Sequence, residues 1–172
     1  MERLGLLQMG GKDVTILGED IVVGQDAPTF ALQNQDWEVV DVLEATKGKV
    51  RIFTALPSLA TGVCDLETRT FNKAASELDE NIVIVGVSMD LPYAQKNWCG
   101  AAGVERVLVL SDHLEAEFGM KYGCLIKERR ILRRAVFVVD ANNKVAYVHY
   151  MESLGNEPDY DAVLNAARSV LP

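Results

Sequence analysis

Two nearly continuous apolar segments constrain the fold of this chain more than any other feature. Residues 50–56 (VRIFTAL) and 82–88 (IVIVGVS) each have the length of a strand and few polar side chains. Such runs are typical of strands that are covered on both faces of a sheet. Between them, Phe71, Ala74 and Leu78 recur at helical spacing. The change from strand to helix and back to strand predicts an α/β fold.

The rest of the chain continues this alternation. Further strands are predicted at 14–17, 21–23, 29–32, 37–43, 107–110, 135–139 and 145–150, and further helices at 92–99, 114–122 and 160–170. The first two strands are interpreted as an N-terminal β-hairpin within residues 13–23, and the last two as a closing hairpin. With 172 residues, 49% of them hydrophobic, the chain is long enough for a sizeable core. We predict one domain over residues 1–172, a mixed central sheet flanked by helices.

The charge and the N-terminal segment exclude several classes of function. A net charge of −8 repels phosphate backbones, so no nucleic-acid partner is predicted. No segment approaches the roughly 20 apolar residues needed to cross a bilayer. The N-terminal MERLGLLQMGGKD has too short an apolar run for a signal peptide. These features predict a cytoplasmic protein without a membrane segment.

Cys64 occupies a position that favours reactivity. It ends the run 57–64 (PSLATGVC), between a predicted strand and a predicted helix. A thiol at the start of a helix faces unpaired N–H groups and the positive end of the helix dipole, which favour the nucleophilic thiolate. The Thr61 hydroxyl can hydrogen-bond to this sulfur or to an oxygen that approaches it, and Pro57 stiffens the loop. The segment predicts a nucleophilic cysteine.

The other two cysteines, Cys99 and Cys124, form no CxxC pair with Cys64. In a reducing compartment they are expected to be free thiols, and any disulfide is expected to be transient and catalytic. A lone cysteine is usually a small buried hydrophobe, so the surroundings of each must decide its role. His113 and His149 have no partners at ligand spacing, so the sequence predicts no metal or other cofactor.

Several segments together carry a family resemblance. They are the run 57–64, MDLPYAQ at 89–95 followed by Trp98-Cys99-Gly100, Arg134-Ala135-Val136, and NEPDY at 156–160. In these segments the chain resembles the peroxiredoxins, most closely the bacterial thiol peroxidases of the atypical two-cysteine type. The resemblance extends over nearly the whole chain beyond residue 13. Ala60 departs from it, because close relatives often carry an acidic residue there.

The resemblance implies a thioredoxin-like fold with an added N-terminal β-hairpin, and a thiol peroxidase acting on hydrogen peroxide and alkyl hydroperoxides. By position, Cys64 is implied to be the peroxidatic cysteine and Cys99 the resolving cysteine, while Pro57, Thr61 and Arg134 complete the site. Thioredoxin is implied as the reductant and a homodimer as the assembly. Cys124 matches no role in the family.

Two questions follow from these assignments. Arg133 carries the same charge as Arg134, and because strand neighbours point to opposite faces, only one of them is expected to reach the site. A disulfide requires Cα atoms about 4.4–6.8 Å apart, so local unfolding around Cys99 is expected to precede its bond to Cys64.

Two alternatives to the peroxidase function remain open. One is a dithiol oxidoreductase, which the missing CxxC disfavours, and the other is a redox sensor that does not turn over.

Overall fold

The protein is described by a computed structural model that covers residues 1–172. Its strands are β1 (Glu2–Met9), β2 (Lys12–Leu17), β3 (Ala31–Gln33), β4 (Val39–Asp41), β5 (Val50–Ala55), β6 (Ile82–Ser88), β7 (Leu108–Ser111), β8 (Leu125–Ile126), β9 (Ile131–Leu132), β10 (Ala135–Val139) and β11 (Val145–Tyr150). Its helices are α1 (Val42–Ala45), α2 (Gly62–Ala75), α3 (Pro92–Ala102), α4 (Glu117–Lys121) and α5 (Tyr160–Ser169). None of these helices combines the length and the apolar character that crossing a membrane requires.

A seven-stranded mixed sheet forms the centre of the molecule, in the order β11-β10-β5-β6-β7-β3-β4. The two apolar runs 50–56 and 82–88 contain β5 and β6, which pair in parallel with Ile52 opposite Ile84. Strand β10 pairs antiparallel to the other side of β5 and β7 parallel to β6, so both runs are interior strands. This position explains their apolar character, because an interior strand between helical layers contacts solvent on neither face.

Successive residues of the central strands supply two separate hydrophobic cores. Phe53 and Phe137 belong to one cluster of 21 buried residues, whereas Ile52 and Val136 belong to another of 18. Since side chains alternate across a strand, the two clusters lie on opposite faces of the sheet. The second cluster, which helices α2, α3 and α5 cover, contains Cys64 and Cys99. Both cysteines are therefore held on the same side of the sheet.

The predicted N-terminal hairpin exists, but its predicted position was wrong. Strands β1 and β2 pair over Glu2–Leu17 around Gly10 and Gly11, and join β8 and β9 in a second sheet. The two glycines have φ values of +60° and +76°, which suits a tight two-residue turn. Residues 21–23, predicted as the second strand, are not a strand. The Ile21 N–H instead donates to the Tyr150 hydroxyl at 2.8 Å.

The predicted strand 37–43 was also partly wrong. Of the segment 37–43, only β4 is extended, and α1 begins directly after it. The Asp41 side chain accepts a hydrogen bond from the Glu44 N–H at 3.2 Å and so caps this short helix. An aspartate in this position stabilises the start of a helix. The sequence prediction missed this start because the β-branched residues 39, 40 and 42 favour a strand.

Candidate active site

The loop after β5 places Cys64 in the first turn of α2. Thr61 is the N-cap of this helix, and its hydroxyl oxygen accepts a hydrogen bond from the Cys64 N–H at 3.3 Å. The same hydroxyl donates to the Ser58 carbonyl at 3.1 Å. Cys64 itself is fully buried. The cap holds the Cys64 sulfur beside the free N–H groups of a helix start, where negative charge is stabilised.

A carboxylate at the end of β6 fixes the same loop from the other side. The Asp90 carboxylate accepts hydrogen bonds from the Ser58 hydroxyl at 2.8 Å, the Leu59 N–H at 2.9 Å and the Ser88 hydroxyl at 2.7 Å. Pro57 is buried two residues after the end of β5, where its ring also restricts the backbone. The turn that carries Cys64 is therefore tied to two strands of the central sheet.

Arg134 lies directly against the Cys64 sulfur. Its Nη2 donates to Cys64 Sγ at 3.1 Å, and its Nη1 donates to Glu67 Oε2 at 2.6 Å. Its Nε and Nη2 both donate to the Leu154 carbonyl, at 3.1 and 2.9 Å. The side chain is 1% exposed. Every nitrogen of the guanidinium has a partner, so its orientation towards the sulfur is fixed before any substrate arrives.

The neighbouring arginine points away from this site. The Arg133 guanidinium stacks on the Tyr150 ring at 3.9 Å and forms an ion pair with Asp20 at 3.4 Å. Only one of the two adjacent arginines reaches the sulfur, and it is Arg134. The two arginines directly precede β10, and successive side chains of an extended chain point to opposite sides.

Glu67 belongs to this site and was missed in the sequence. It lies one helical turn after Cys64 on α2 and is fully buried. Its Oε2 pairs with Arg134, whereas its Oε1 is buried without a partner. Burial raises the pKa of this carboxyl to about 7, and the Arg134 charge opposes that rise. The sequence signal that could have identified Glu67 is its spacing. It lies three residues after the candidate nucleophile Cys64, on the same face of the helix.

Glu67→Gln is expected to change how stability depends on pH. The pKa of Glu67 is raised in the folded state. The protonated carboxyl therefore adds to the free energy of unfolding of wild type below pH 4.5, and this stabilisation is lost as pH rises through about 7. The amide cannot ionise, so the free energy of unfolding of the variant minus that of wild type should increase between these limits by about 3 kcal/mol. Urea unfolding of both reduced proteins at several pH values measures the difference, and parallel curves would contradict it.

Cys99 lies in the last turn of α3 and is 8% exposed. The Gln35 side-chain amide donates to its sulfur at 3.4 Å. Burial raises the pKa of this thiol, and the hydrogen bond from Gln35 opposes the rise. The two cysteine segments also touch, since Trp98 Nε1 donates to Asp65 Oδ1 at 3.0 Å. Cys64 and Cys99 thus have neighbours in direct contact, and both are reduced thiols in this structure.

Cys124 is separated from these two residues by the central sheet. It is fully buried in the other hydrophobic cluster, and burial raises the pKa of its thiol to about 12. At neutral pH such a thiol stays protonated and is a poor nucleophile. No group of three or more histidine, cysteine or acidic side chains comes together in the structure to hold a metal ion.

Comparison with known proteins gives the class of this chain. A family model described as Redoxin matches residues 22–164, which is most of the chain. A peroxiredoxin-like protein from Aquifex aeolicus, whose crystal structure is known, is 34% identical to the chain. Its TM-score is 0.86, and the match covers 97% of this chain and 98% of that one. The thiol peroxidase from Chromobacterium violaceum superposes with a TM-score of 0.82 over 95% of both chains, at 18% identity. The chain is a member of the redoxins, with a thioredoxin-like fold.

More similar sequences narrow this assignment. Thiol peroxidase from Oceanobacillus iheyensis is 51% identical over 88% of this chain and 92% of that protein. Thiol peroxidase from Bacillus subtilis is 42% identical over 94% of this chain and 95% of that protein. The chain therefore belongs to the peroxiredoxin family, in its bacterial thiol peroxidase subfamily, and is a peroxidase enzyme.

Proposed function

We propose that the protein reduces hydrogen peroxide and alkyl hydroperoxides with Cys64 as the peroxidatic residue and Cys99 as the resolving residue. The observation that carries this proposal is the Arg134 guanidinium, which lies 3.1 Å from a buried cysteine sulfur at a capped helix start. This combination of a fixed cation and free backbone N–H groups stabilises a thiolate. It also supplies donors for the oxygens of a peroxide.

In the first step, the Cys64 thiolate attacks one oxygen of the peroxide in line with the O–O bond. The S–O bond forms as the O–O bond breaks, and the electron pair goes to the leaving oxygen, which takes up a proton as water or an alcohol. Arg134 stabilises the charge that develops on that oxygen. The Thr61 hydroxyl orients the peroxide after its proton turns from the Ser58 carbonyl to the substrate. Pro57 shields the sulfur without offering a competing donor. Cys64 is left as a sulfenic acid.

In the second step, the Cys99 thiol attacks this sulfenic acid. A disulfide forms, the S–O bond breaks, and the hydroxyl leaves as water with the thiol proton. In the reduced fold one sulfur contacts Arg134 and the other contacts Gln35. We therefore propose that the end of α3 unfolds locally to close the bond. Thioredoxin is proposed as the dithiol that restores both thiols, and a cytoplasmic homodimer as the working form.

The experiment that tests this proposal is intact-mass analysis and disulfide mapping after one equivalent of hydrogen peroxide. Reduced wild type should yield a Cys64–Cys99 peptide, and Cys99→Ser should accumulate a sulfenic acid on Cys64 that a dimedone adduct detects. A link from Cys64 to Cys124 would remove Cys99 from the resolving role. Unreacted Cys64 in both proteins would overturn the peroxidatic assignment.

Turnover then tests thioredoxin as the reductant of this cycle. Wild type supplied with thioredoxin, thioredoxin reductase and NADPH should consume repeated additions of peroxide. Oxidation once, without recycling, would exclude thioredoxin as the reductant. Cys124→Ser is the matched control, since the third thiol is buried on the other face of the sheet, and it should turn over as wild type does.

A further inference from the structure

Residues 34–38 run along one side of α3 and contact it at three points. Gln35 donates to the Cys99 sulfur, Asp36 forms an ion pair with Lys96 at 3.8 Å, and the Trp37 ring packs on the Tyr93 ring at 4.9 Å between centroids. The contacted residues are three apart along the helix and so share one face. The segment and the helix thus run antiparallel, and the segment's first contact is with the thiol itself.

The segment is stiffened by its own hydrogen bonds. The Asn34 side-chain oxygen accepts from the Asp36 N–H at 2.9 Å and the Glu38 N–H at 3.0 Å. The Trp37 N–H donates to the Asn34 carbonyl at 3.1 Å, which holds Trp37 at a φ of +65°. A bulky residue rarely adopts this left-handed conformation unless its surroundings hold it there. Gln35 is therefore presented to α3 by a rigid turn.

The bond from Gln35 is the most direct of the three contacts. It is the one hydrogen bond that the Cys99 sulfur makes, at the edge of a cleft of about 300 Å³ between this segment and residues 104–110. The Asp36–Lys96 pair is mostly exposed, with 75% and 61% of the two side chains accessible, and such pairs contribute little to stability. The Trp37–Tyr93 contact lies two helical turns from the thiol.

We propose that Gln35 is a positioning residue for disulfide formation, and that its hydrogen bond opposes the release of Cys99 from α3. This inference rests on the proposed resolving role of Cys99. The bond exists only while Cys99 stays in its helical position. It therefore stabilises the closed form, in which α3 is intact, and not the locally unfolded form in which Cys99 can reach Cys64. The raised pKa of the buried thiol agrees with this, because a protonated sulfur in the closed form is a weak nucleophile.

The free energy needed to break this bond is part of the free energy needed to release Cys99 from α3. A thiol sulfur is a weak acceptor, so this bond belongs in the lower part of the ordinary range, which corresponds to about a two- to fivefold change in an equilibrium constant. Gln35→Met keeps the length of the side chain and removes the donor. We expect this variant to form the Cys64–Cys99 disulfide about two- to fivefold faster than wild type after Cys64 is oxidised. It should also accumulate less sulfinic acid at excess peroxide, because the sulfenic acid is consumed sooner.

Two measurements test the proposal. Rapid quench with alkylation and mass spectrometry gives the rate of disulfide formation, and amide hydrogen exchange of residues 92–102 in the reduced protein gives the opening of α3. The matched control is Gln8→Met, which also removes one side-chain hydrogen bond, to Asp13, but on the exposed N-terminal hairpin. Gln35→Met should raise both rates, and the control should raise neither. In a Cys99→Ala background, Gln35→Met should no longer speed exchange, because its partner is absent.

Disulfide formation and exchange that match wild type would overturn the proposal. Slower disulfide formation would also overturn it, because Gln35 would then assist Cys99 as a nucleophile and not restrain it. Hydrogen exchange keeps this test separate from the proposed function. If exchange rises as expected and wild type forms no Cys64–Cys99 bond, the two-cysteine cycle is wrong while the restraint on α3 stands.

Discussion

Replacing Arg134 with methionine is expected to slow the oxidation of Cys64 by peroxide by about 10²-fold or more, the scale of losing one donor to a developing oxyanion. The guanidinium lies 3.1 Å from the sulfur, and all of its nitrogens have partners, so its charge is already held beside the sulfur before a substrate binds. Methionine fills much of the space and removes both the charge and the donors. Stopped-flow measurement of the first turnover, under reducing conditions before mixing, gives the rate.

The neighbouring residue supplies the control for this variant. Arg133→Met removes the same charge one residue away, on the opposite face, and should oxidise at a rate near that of wild type. Arg134→Met also leaves the buried Glu67 carboxyl without its partner, so this group must take up a proton or remain as an unpaired buried charge. Arg134→Met combined with Glu67→Gln replaces this carboxyl with an amide that does not ionise. Near wild-type oxidation in this folded double variant would remove Arg134 from the mechanism.

Thr61→Val should also slow the oxidation of Cys64 by about 10²-fold. Valine has nearly the shape of threonine, but it has no hydroxyl to orient the peroxide or to accept from the Cys64 N–H. Loss of the cap alone should cost about 1 kcal/mol of stability, too little to unfold a domain of this size. The same stopped-flow measurement reports the rate.

Thr61→Ser distinguishes the hydroxyl from the rest of the side chain. Serine is an equally good N-cap and keeps the oxygen, so this variant should retain most of the wild-type rate. A valine variant as fast as the serine variant would show that Thr61 acts only as the helix cap and not on the substrate.

The parts of the fold that the sequence predicted well are those specified by local pattern. The interior strand 82–88 and the hairpin 135–150 agree with the structure residue for residue, because continuous apolar runs and a polar turn admit few other arrangements. The N-terminal hairpin was misplaced, since its alternating residues fit more than one register. The pair Gly10-Gly11, both at positive φ, decided between them.

Only those residues of the candidate site that lie in a recognisable sequence motif could be predicted from the sequence. Cys64 and Thr61 are near neighbours in sequence, and the helix start joins them directly. Glu67 meets Arg134 across 67 residues, and Gln35 meets Cys99 across 64, so no local pattern could connect them. These long-range contacts depend on how the helices pack on the sheet, which a single sequence does not display.

A main-chain oxygen, the carbonyl of Leu154, anchors Arg134, and this limits which changes in the loop can disturb the site. The Leu154 carbonyl holds two nitrogens of the guanidinium, and every amino acid supplies the same atom. Mutational drift at the exposed positions 152, 153 and 155, which lie outside the segment 156–160, is therefore compatible with an intact site. A deletion or insertion of one residue there would shift the carbonyl away from Arg134. Selection on this loop should preserve its length more strictly than its composition.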